Sequence, residues 1–101
     1  MIDLHSIKAQ LEPLLIKYGI VRAIVFGSYA KGTAAENSDI DMVIDSQGAL
    51  TGIDFFVAQA EIAKTLPASS DIYELIEIKK GSLLENEILR TGVAVYERDG
   101  F

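Results

Sequence analysis

The sequence contains no cysteine, so disulfides and thiolate metal sites are excluded, and a reducing compartment such as the cytoplasm is expected. Basic residues are few: nine lysines and arginines stand against fifteen aspartates and glutamates, for a formal net charge of −6. An acidic surface repels a polyanion, so the chain alone is not expected to bind DNA or RNA. The sequence also lacks a long apolar run and a basic-then-apolar N-terminus, so neither a membrane span nor secretion is predicted.

The residues that are present predict one globular domain over residues 1–101, since half of them are hydrophobic and 24% are charged. Apolar residues at helical spacing predict a first helix from the N-cap Asp3 to Tyr18, with a kink or a break at Pro13. The other predicted elements are strands over 20–26, 40–44, 72–78 and 93–96, a short helical turn after Ser28, and helices over 53–66 and from the capping box at Ser82 to Arg90.

This order of elements predicts an α/β (α+β) fold in which helices cover a small mixed sheet of three or four strands. The helix over 53–66 connects the second and third strands as a crossover, and a crossover of this kind joins parallel strands. The starts of these two strands are therefore expected at the same end of the sheet.

Two carboxylates mark the start of the second strand, within the segment GSYAKGTAAENSDID over residues 27–41. Residues i and i+2 of a strand point to the same face, so Asp39 and Asp41 are expected about 7 Å apart. Adjacent carboxylates repel each other and resist desolvation, and a divalent cation relieves both effects. Magnesium commonly takes one or two carboxylates together with substrate phosphates. The alternative is a pair of solvated aspartates at the start of a strand.

A glycine and a serine follow the first predicted strand directly. Gly27 lets the backbone approach a ligand closely, and Ser28 offers a hydroxyl and an amide at the start of a helical turn, which together favour an anion. A plain turn is the alternative for this pair taken alone. A phosphate-binding turn and a carboxylate pair about ten residues apart together indicate a metal–triphosphate site.

The whole pattern resembles the signature of the DNA polymerase β-like nucleotidyltransferase superfamily, and it is most similar to the minimal nucleotidyltransferase branch. The residues that carry the resemblance are Gly27, Ser28, Tyr29, Ala30, Lys31 and Gly32, then Ser38, Asp39, Ile40 and Asp41, and near the end Glu87, Ile88, Thr91, Gly92, Val93, Tyr96 and Glu97. It covers essentially the whole chain and implies the nucleotidyltransferase fold.

The resemblance also implies roles for these residues. Gly27 and Ser28 would bind the triphosphate, with Lys31 and Ser38 as further nucleotide-binding candidates, although Lys31 could equally be a surface lysine. Asp39 and Asp41 would be catalytic and would hold two Mg²⁺ ions, one of which activates the attacking hydroxyl while the other stabilises the departing pyrophosphate.

The family uses a third carboxylate on a neighbouring strand, and Asp71, Glu74 and Glu77 are the candidates. If the second and third strands are parallel, Asp71 lies near the carboxylate pair. Glu74 would be about 10 Å further along the strand and on its opposite face. Asp71 is therefore preferred as the third catalytic and metal-binding residue, and Glu74 and Glu77 remain alternatives.

The expected reaction is transfer of a nucleoside monophosphate from a nucleoside triphosphate, expected to be ATP, to an acceptor hydroxyl. The 101 residues leave no length for an acceptor-binding domain, so an outside acceptor or a partner chain is expected to complete the site. The resemblance implies a HEPN-domain toxin as that partner and an antitoxin role for this chain. Two alternatives stay open: a stand-alone enzyme that modifies a small molecule or an RNA end, and a non-enzymatic antitoxin that acts by binding alone.

Overall fold

The structure is a computed structural model that describes residues 3–98. Its elements follow the predicted order, which is thereby confirmed. They are α1 (Leu4–Lys17), β1 (Arg22–Phe26), α2 (Ser28–Lys31), β2 (Ile40–Asp45), α3 (Ile53–Thr65), β3 (Ser70–Glu74), a 3-10 helix (Leu75–Glu77), α4 (Leu83–Thr91) and β4 (Val93–Glu97). No helix within residues 3–98 is long and apolar enough to cross a membrane.

The four strands form one mixed sheet in the order β3-β2-β1-β4. The central strand β1 pairs antiparallel with both β2 and β4, whereas β2 and β3 are parallel. The crossover through α3 explains the parallel pair, because a chain that leaves one end of a strand must return to the other end. The predicted fold class and the predicted parallel pair are both confirmed.

One face of the sheet carries the hydrophobic core. Alternate residues of β2, namely Ile40, Met42 and Ile44, are fully buried there. Further core side chains come from α1 (Ile7, Leu11, Leu15), α3 (Ala58, Ile62) and the remaining strands (Ala23, Val25, Ile72, Val95). Because successive strand side chains alternate between faces, the residues between these, including Asp41 and Val43, point to the opposite face of the sheet.

Helix α1 begins as the sequence predicts, since the Asp3 side chain accepts a hydrogen bond of 2.8 Å from the backbone amide of Ser6. The predicted interruption at Pro13 is wrong in its stronger form, because α1 runs as a single helix of 14 residues. Proline removes one amide donor, but Pro13 lies on the exposed side of the helix. The buried side chains of Leu11 and Leu15, on either side of it, hold both halves against the same core.

The third strand is shorter than the sequence predicts. It ends at Glu74 and gives way to the 3-10 helix, so the predicted continuation to Ile78 is wrong. The last paired position joins Ile44 to Glu74, and β2 itself ends one residue later at Asp45. Beyond that point β3 has no neighbour to pair with, and Ile76 turns outward with 69% of its surface exposed.

Candidate active site

The turn after β1 has a backbone conformation that depends on glycine. Gly27 has φ +73° and ψ −149°, a region that residues with a side chain avoid. A Cβ atom built on Gly27 would lie 2.6 Å from Oδ2 of Asp41, which is closer than real Cβ contacts allow. The turn and the second carboxylate of the D-x-D pair are therefore in direct contact, and glycine at this position leaves room for that carboxylate.

Asp41 stands at the centre of a group of acidic side chains. Its β2 position pairs with Phe26 of β1 on one side and with Asp71 of β3 on the other. Partial burial raises the pKa of Asp41, and the negative charges of Asp71, Asp39 and Glu87 raise it further. The carboxylate therefore lies where additional negative charge is unfavourable and where positive charge would be favoured.

A tyrosine on the same face of the sheet reports the same electrostatic environment. Burial raises the pKa of the Tyr73 hydroxyl, and the charges of Asp71 and Asp41 add to the effect. The ring of Tyr73 also packs against that of Phe26, with the ring centres 6.1 Å apart. These two rings lie on the face of the sheet that carries Asp41 and Asp71.

The first aspartate of the pair lies directly before β2. Asp39 is exposed and immediately precedes Ile40, the first residue of β2, and its negative charge contributes to the raised pKa of Asp41. Within residues 3–98, no three Asp, Glu or His side chains are grouped so that they could hold a metal ion. The three predicted metal ligands Asp39, Asp41 and Asp71 therefore do not form a preformed metal-binding site.

The donor chemistry nevertheless fits Mg²⁺. Mg²⁺ prefers hard oxygen ligands, and it usually binds through one or two carboxylates while water and substrate phosphates supply the other ligands. Asp41 and Asp71 occupy paired positions of parallel strands, and burial together with the neighbouring negative charges raises the pKa of Asp41. A cation held by two carboxylates and a triphosphate does not require a preformed set of three.

The other two candidates for the third carboxylate lie elsewhere. Glu74 is buried at the far end of β3, with only 4% of its surface exposed. There it accepts a 2.8 Å hydrogen bond from the Ser46 hydroxyl, which in turn accepts one of 3.1 Å from the backbone amide of Leu50. Glu74 thus anchors the loop after β2. Glu77 is exposed in the 3-10 helix, so of the three candidates only Asp71 lies beside Asp41.

The predicted nucleotide-binding residues surround the turn but differ in how they are held. Ser28 opens α2, a single turn of helix that ends at Lys31, and Lys31 is exposed. The Ser38 hydroxyl accepts a 2.8 Å hydrogen bond from the amide of Ala35, so it closes a local turn in the loop before β2. Ser28 and Lys31 therefore adjoin the Gly27 turn, while Ser38 shapes the loop that leads to Asp39.

Helix α4 contributes residues to which the sequence analysis gave no role. The Thr91 hydroxyl accepts a 2.9 Å hydrogen bond from the backbone amide of Gly27 and donates one of 2.8 Å to the carbonyl of Glu87. The Glu87 side chain forms an ion pair with Arg90, and its charge contributes to the raised pKa of Asp41. Glu87 and Thr91 belong to the C-terminal part of the resemblance, which was the only signal for them in the sequence.

Comparison with known proteins identifies the family. The family model described as polymerase beta, nucleotidyltransferase, matches residues 9–101. A candidate protein adenylyltransferase of Methanocaldococcus jannaschii is 31% identical over 93 residues, which are 92% of this chain and 98% of the relative. Matches of this extent to a family model and to a curated relative show family membership.

Solved structures agree with this result. The structure of a candidate minimal nucleotidyltransferase superposes with a TM-score of 0.70 and 27% identity over 91% of this chain and 95% of that one. A structure of a tri-AMPylated HEPN toxin of Shewanella oneidensis in complex with its MNT antitoxin matches with a TM-score of 0.70 and 18% identity, over 93% of this chain and 72% of that one. The second likeness is one of fold alone. With its Gly-Ser turn set against the carboxylate of the D-x-D pair, the chain belongs to the polymerase beta nucleotidyltransferase family, within its minimal nucleotidyltransferase branch.

Proposed function

We propose that this nucleotidyltransferase uses ATP and Mg²⁺ to transfer AMP to a hydroxyl group of a HEPN-domain partner protein, and that it acts as the partner's antitoxin. The observation that carries the proposal is the direct contact between the Gly27 turn and Asp41, next to Asp71. The turn that would bind the triphosphate and the carboxylates that would bind its cation thereby lie together at one end of the central strands β1 and β2.

Each residue has a defined task in this proposal. The Gly27 turn and the amide and hydroxyl of Ser28 receive the triphosphate, because no side chain at Gly27 obstructs its approach. Asp41 and Asp71, together with Asp39, would hold Mg²⁺, which when bound would activate the attacking hydroxyl and stabilise the charge of the departing pyrophosphate. Phosphoryl transfer depends mainly on positioning and charge stabilisation, which is the work that this arrangement is suited to do.

The acceptor and the nucleotide are proposed on the chemistry of relatives. The Methanocaldococcus jannaschii relative bears the name of a protein adenylyltransferase, and the Shewanella oneidensis complex contains a HEPN toxin that carries AMP groups. AMP as the transferred group implies ATP as its donor. The net charge of −6 favours a partner with a basic face, because complementary charge accelerates encounter.

The test is to express the chain with its genomic neighbours, purify it through a tag, and measure the intact mass of whatever co-elutes before and after incubation with ATP and Mg²⁺. We expect one or more adenylyl groups on the co-eluting protein, and none when the double variant Asp39→Asn, Asp41→Asn replaces the wild type. If nothing co-elutes and the chain alone modifies a small molecule or an RNA end, the stand-alone enzyme is correct and the antitoxin proposal fails.

A second candidate is an antitoxin that neutralises its partner by binding alone, without transfer of a nucleotide. Growth of cells that express the partner separates the two candidates. If the double variant protects these cells as well as the wild type does, protection does not require transfer.

A further inference from the structure

The backbone amide of Gly27 is engaged within the protein. Gly27 is buried, and its N–H donates a 2.9 Å hydrogen bond to Oγ1 of Thr91. The amide is therefore satisfied by the chain itself, so Gly27 serves the site by its shape, and other groups of the turn must supply the donors for phosphate. What holds Gly27 in its unusual conformation thus also determines where the turn lies relative to Asp41.

Thr91 is itself fixed in direction. Its hydroxyl hydrogen is directed at the Glu87 carbonyl, one helical turn earlier, at 2.8 Å. An oxygen whose hydrogen is already committed presents its lone pairs to other donors, and the donor it meets is Gly27 N–H. The hydrogen bond between Thr91 and Gly27 links residues that are 64 positions apart in the sequence.

The position of Thr91 is set by the close packing of α4 on β1. A Cβ atom built on Gly92, the next residue, would lie 2.5 Å from the Ile88 carbonyl oxygen and 2.9 Å from Cγ2 of Ile24. Neither neighbour can give way easily, since one is a backbone carbonyl and the other is the branching methyl group of a residue in the central strand β1. Glycine at position 92 therefore lets the end of α4 approach β1 closely enough for the Thr91 hydroxyl to reach the turn.

We propose that Thr91 is a positioning residue of the nucleotidyltransferase site, whose hydroxyl holds the Gly27 amide and thereby sets the triphosphate-binding turn against the Asp41 carboxylate. The inference rests on the proposed function, because it assumes that the turn binds a triphosphate. Thr91 does not touch the nucleotide. It acts through Gly27, by keeping one of the backbone conformations open to glycine populated before the ligand arrives.

The experiment compares Thr91→Val, which keeps the shape and removes the hydroxyl, with Thr91→Ser, which keeps the hydroxyl. Thr65→Val is the matched control, because Thr65 makes the same back-bond from the last turn of α3 to the carbonyl four residues earlier, at 3.0 Å, on an exposed surface away from the turn. Thr91→Ala is a second hydroxyl-free variant should the valine not fold. All measurements are made below the melting temperature of every variant.

Two readouts are needed, one that depends on nucleotide and one that does not. Hydrogen exchange of the Gly27 amide should accelerate in Thr91→Val and remain slow in Thr91→Ser and Thr65→Val. The Kd for ATP with Mg²⁺ should rise at least about tenfold in Thr91→Val. Leaving the buried Gly27 amide without its acceptor destabilises the binding conformation of the turn, and a free-energy difference of that size corresponds to about this factor. Because bound triphosphate restores the turn, the KM for ATP should rise more than kcat falls. The serine variant should stay within about twofold of the wild type.

The outcomes distinguish the two proposals. If the wild type does not bind ATP with Mg²⁺, both the proposed function and this role of Thr91 are wrong. If the wild type binds ATP but Thr91→Val binds it equally well, or loses no more affinity than Thr65→Val, only the positioning role is overturned. Loss of stability in Thr91→Val without a change in Gly27 exchange or in the Kd would likewise make Thr91 merely a structural residue.

Discussion

Replacing Gly27 by alanine is the most direct perturbation of the site that the structure offers. The new Cβ would lie 2.6 Å from Oδ2 of Asp41, so the carboxylate must retreat by about 0.8 Å to reach ordinary van der Waals contact at 3.4 Å. The backbone conformation, with φ +73° and ψ −149°, adds about 1–3 kcal/mol of strain once a side chain is present. Both effects fall on the contact that defines the site.

These magnitudes predict two separate losses. The free energy of unfolding should fall by about 1–3 kcal/mol, from the backbone strain. Transfer of AMP should fall by about 100-fold, because a displacement of about 1 Å in a reacting group commonly costs that much. Chemical denaturation measures the loss of stability, and turnover of ATP in the presence of Mg²⁺ and the acceptor measures the loss of transfer.

Gly19→Ala is the matched control. Gly19 also has a positive φ, +69°, but a Cβ built there meets no atom within 4 Å, and the residue lies in the turn after α1. Its replacement should cost about 1–2 kcal/mol of stability and leave transfer unchanged. If Gly27→Ala and Gly19→Ala lose the same stability and both retain full transfer, the contact between Gly27 and Asp41 has no part in the chemistry and the proposed site is wrong.

Three further predictions concern the acidic residues. The double variant Asp39→Asn, Asp41→Asn should abolish Mg²⁺-dependent transfer without lowering the melting temperature, because it removes like charges that repel; full transfer would contradict the assignment of the metal site. Asp71→Asn should abolish transfer at unchanged stability. Glu74→Ala should retain transfer but lower the free energy of unfolding by about 1–3 kcal/mol, because Ser46 loses its buried acceptor. The reverse pattern would make Glu74 the third carboxylate. Because the pKa of Asp41 is raised in the folded protein, its charged form opposes folding, and acidification from neutral pH towards 3.8 should stabilise the wild type relative to Asp41→Asn. If the free energies of unfolding of the two proteins change in parallel across that pH range, the predicted electrostatics is wrong.

The order of the elements could be predicted from the sequence because each has a local cause. Glycines and prolines end the predicted helices, and apolar runs of β-branched residues mark the strands. The neighbourhood of Asp41 and Asp71 was predictable for a topological reason, since a helical crossover makes the two strands parallel and brings their starts together. That single inference placed two residues that are 30 positions apart near each other, and the structure shows them at paired positions.

The sequence could not predict features that depend on where a neighbouring strand stops. The segment IYELIEI has the composition of a long strand, but β2 ends at Asp45 and β3 cannot continue beyond its partner. The local sequence pattern indicates whether a segment prefers to form a strand, and the neighbouring strand determines how long that strand is.

The hydrogen bond between Thr91 and Gly27 was beyond sequence reasoning for a different reason. A threonine in the last turn of a helix most often bonds to the helix's own backbone, and Thr91 does this with Glu87. Its second hydrogen bond exists only because Gly92 allows α4 to approach β1. A contact of this kind depends on the packing of two elements, and neither sequence segment carries a signal for the other.

The two faces of the sheet divide the requirements of stability and chemistry. Residues such as Leu11, Met42 and Ile62 are fully buried on one face and supply hydrophobic stabilisation, which does not depend on charge. On the other face Asp41 is held near Asp39, Asp71 and Glu87, an arrangement of like charges that opposes folding while no cation compensates it. The alternation of strand side chains puts Ile40, Met42 and Ile44 of β2 on the core face and Asp41 on the face of the site. A carboxylate cluster that would destabilise a small domain is therefore tolerated, because the core opposite is formed by residues that take no part in the site.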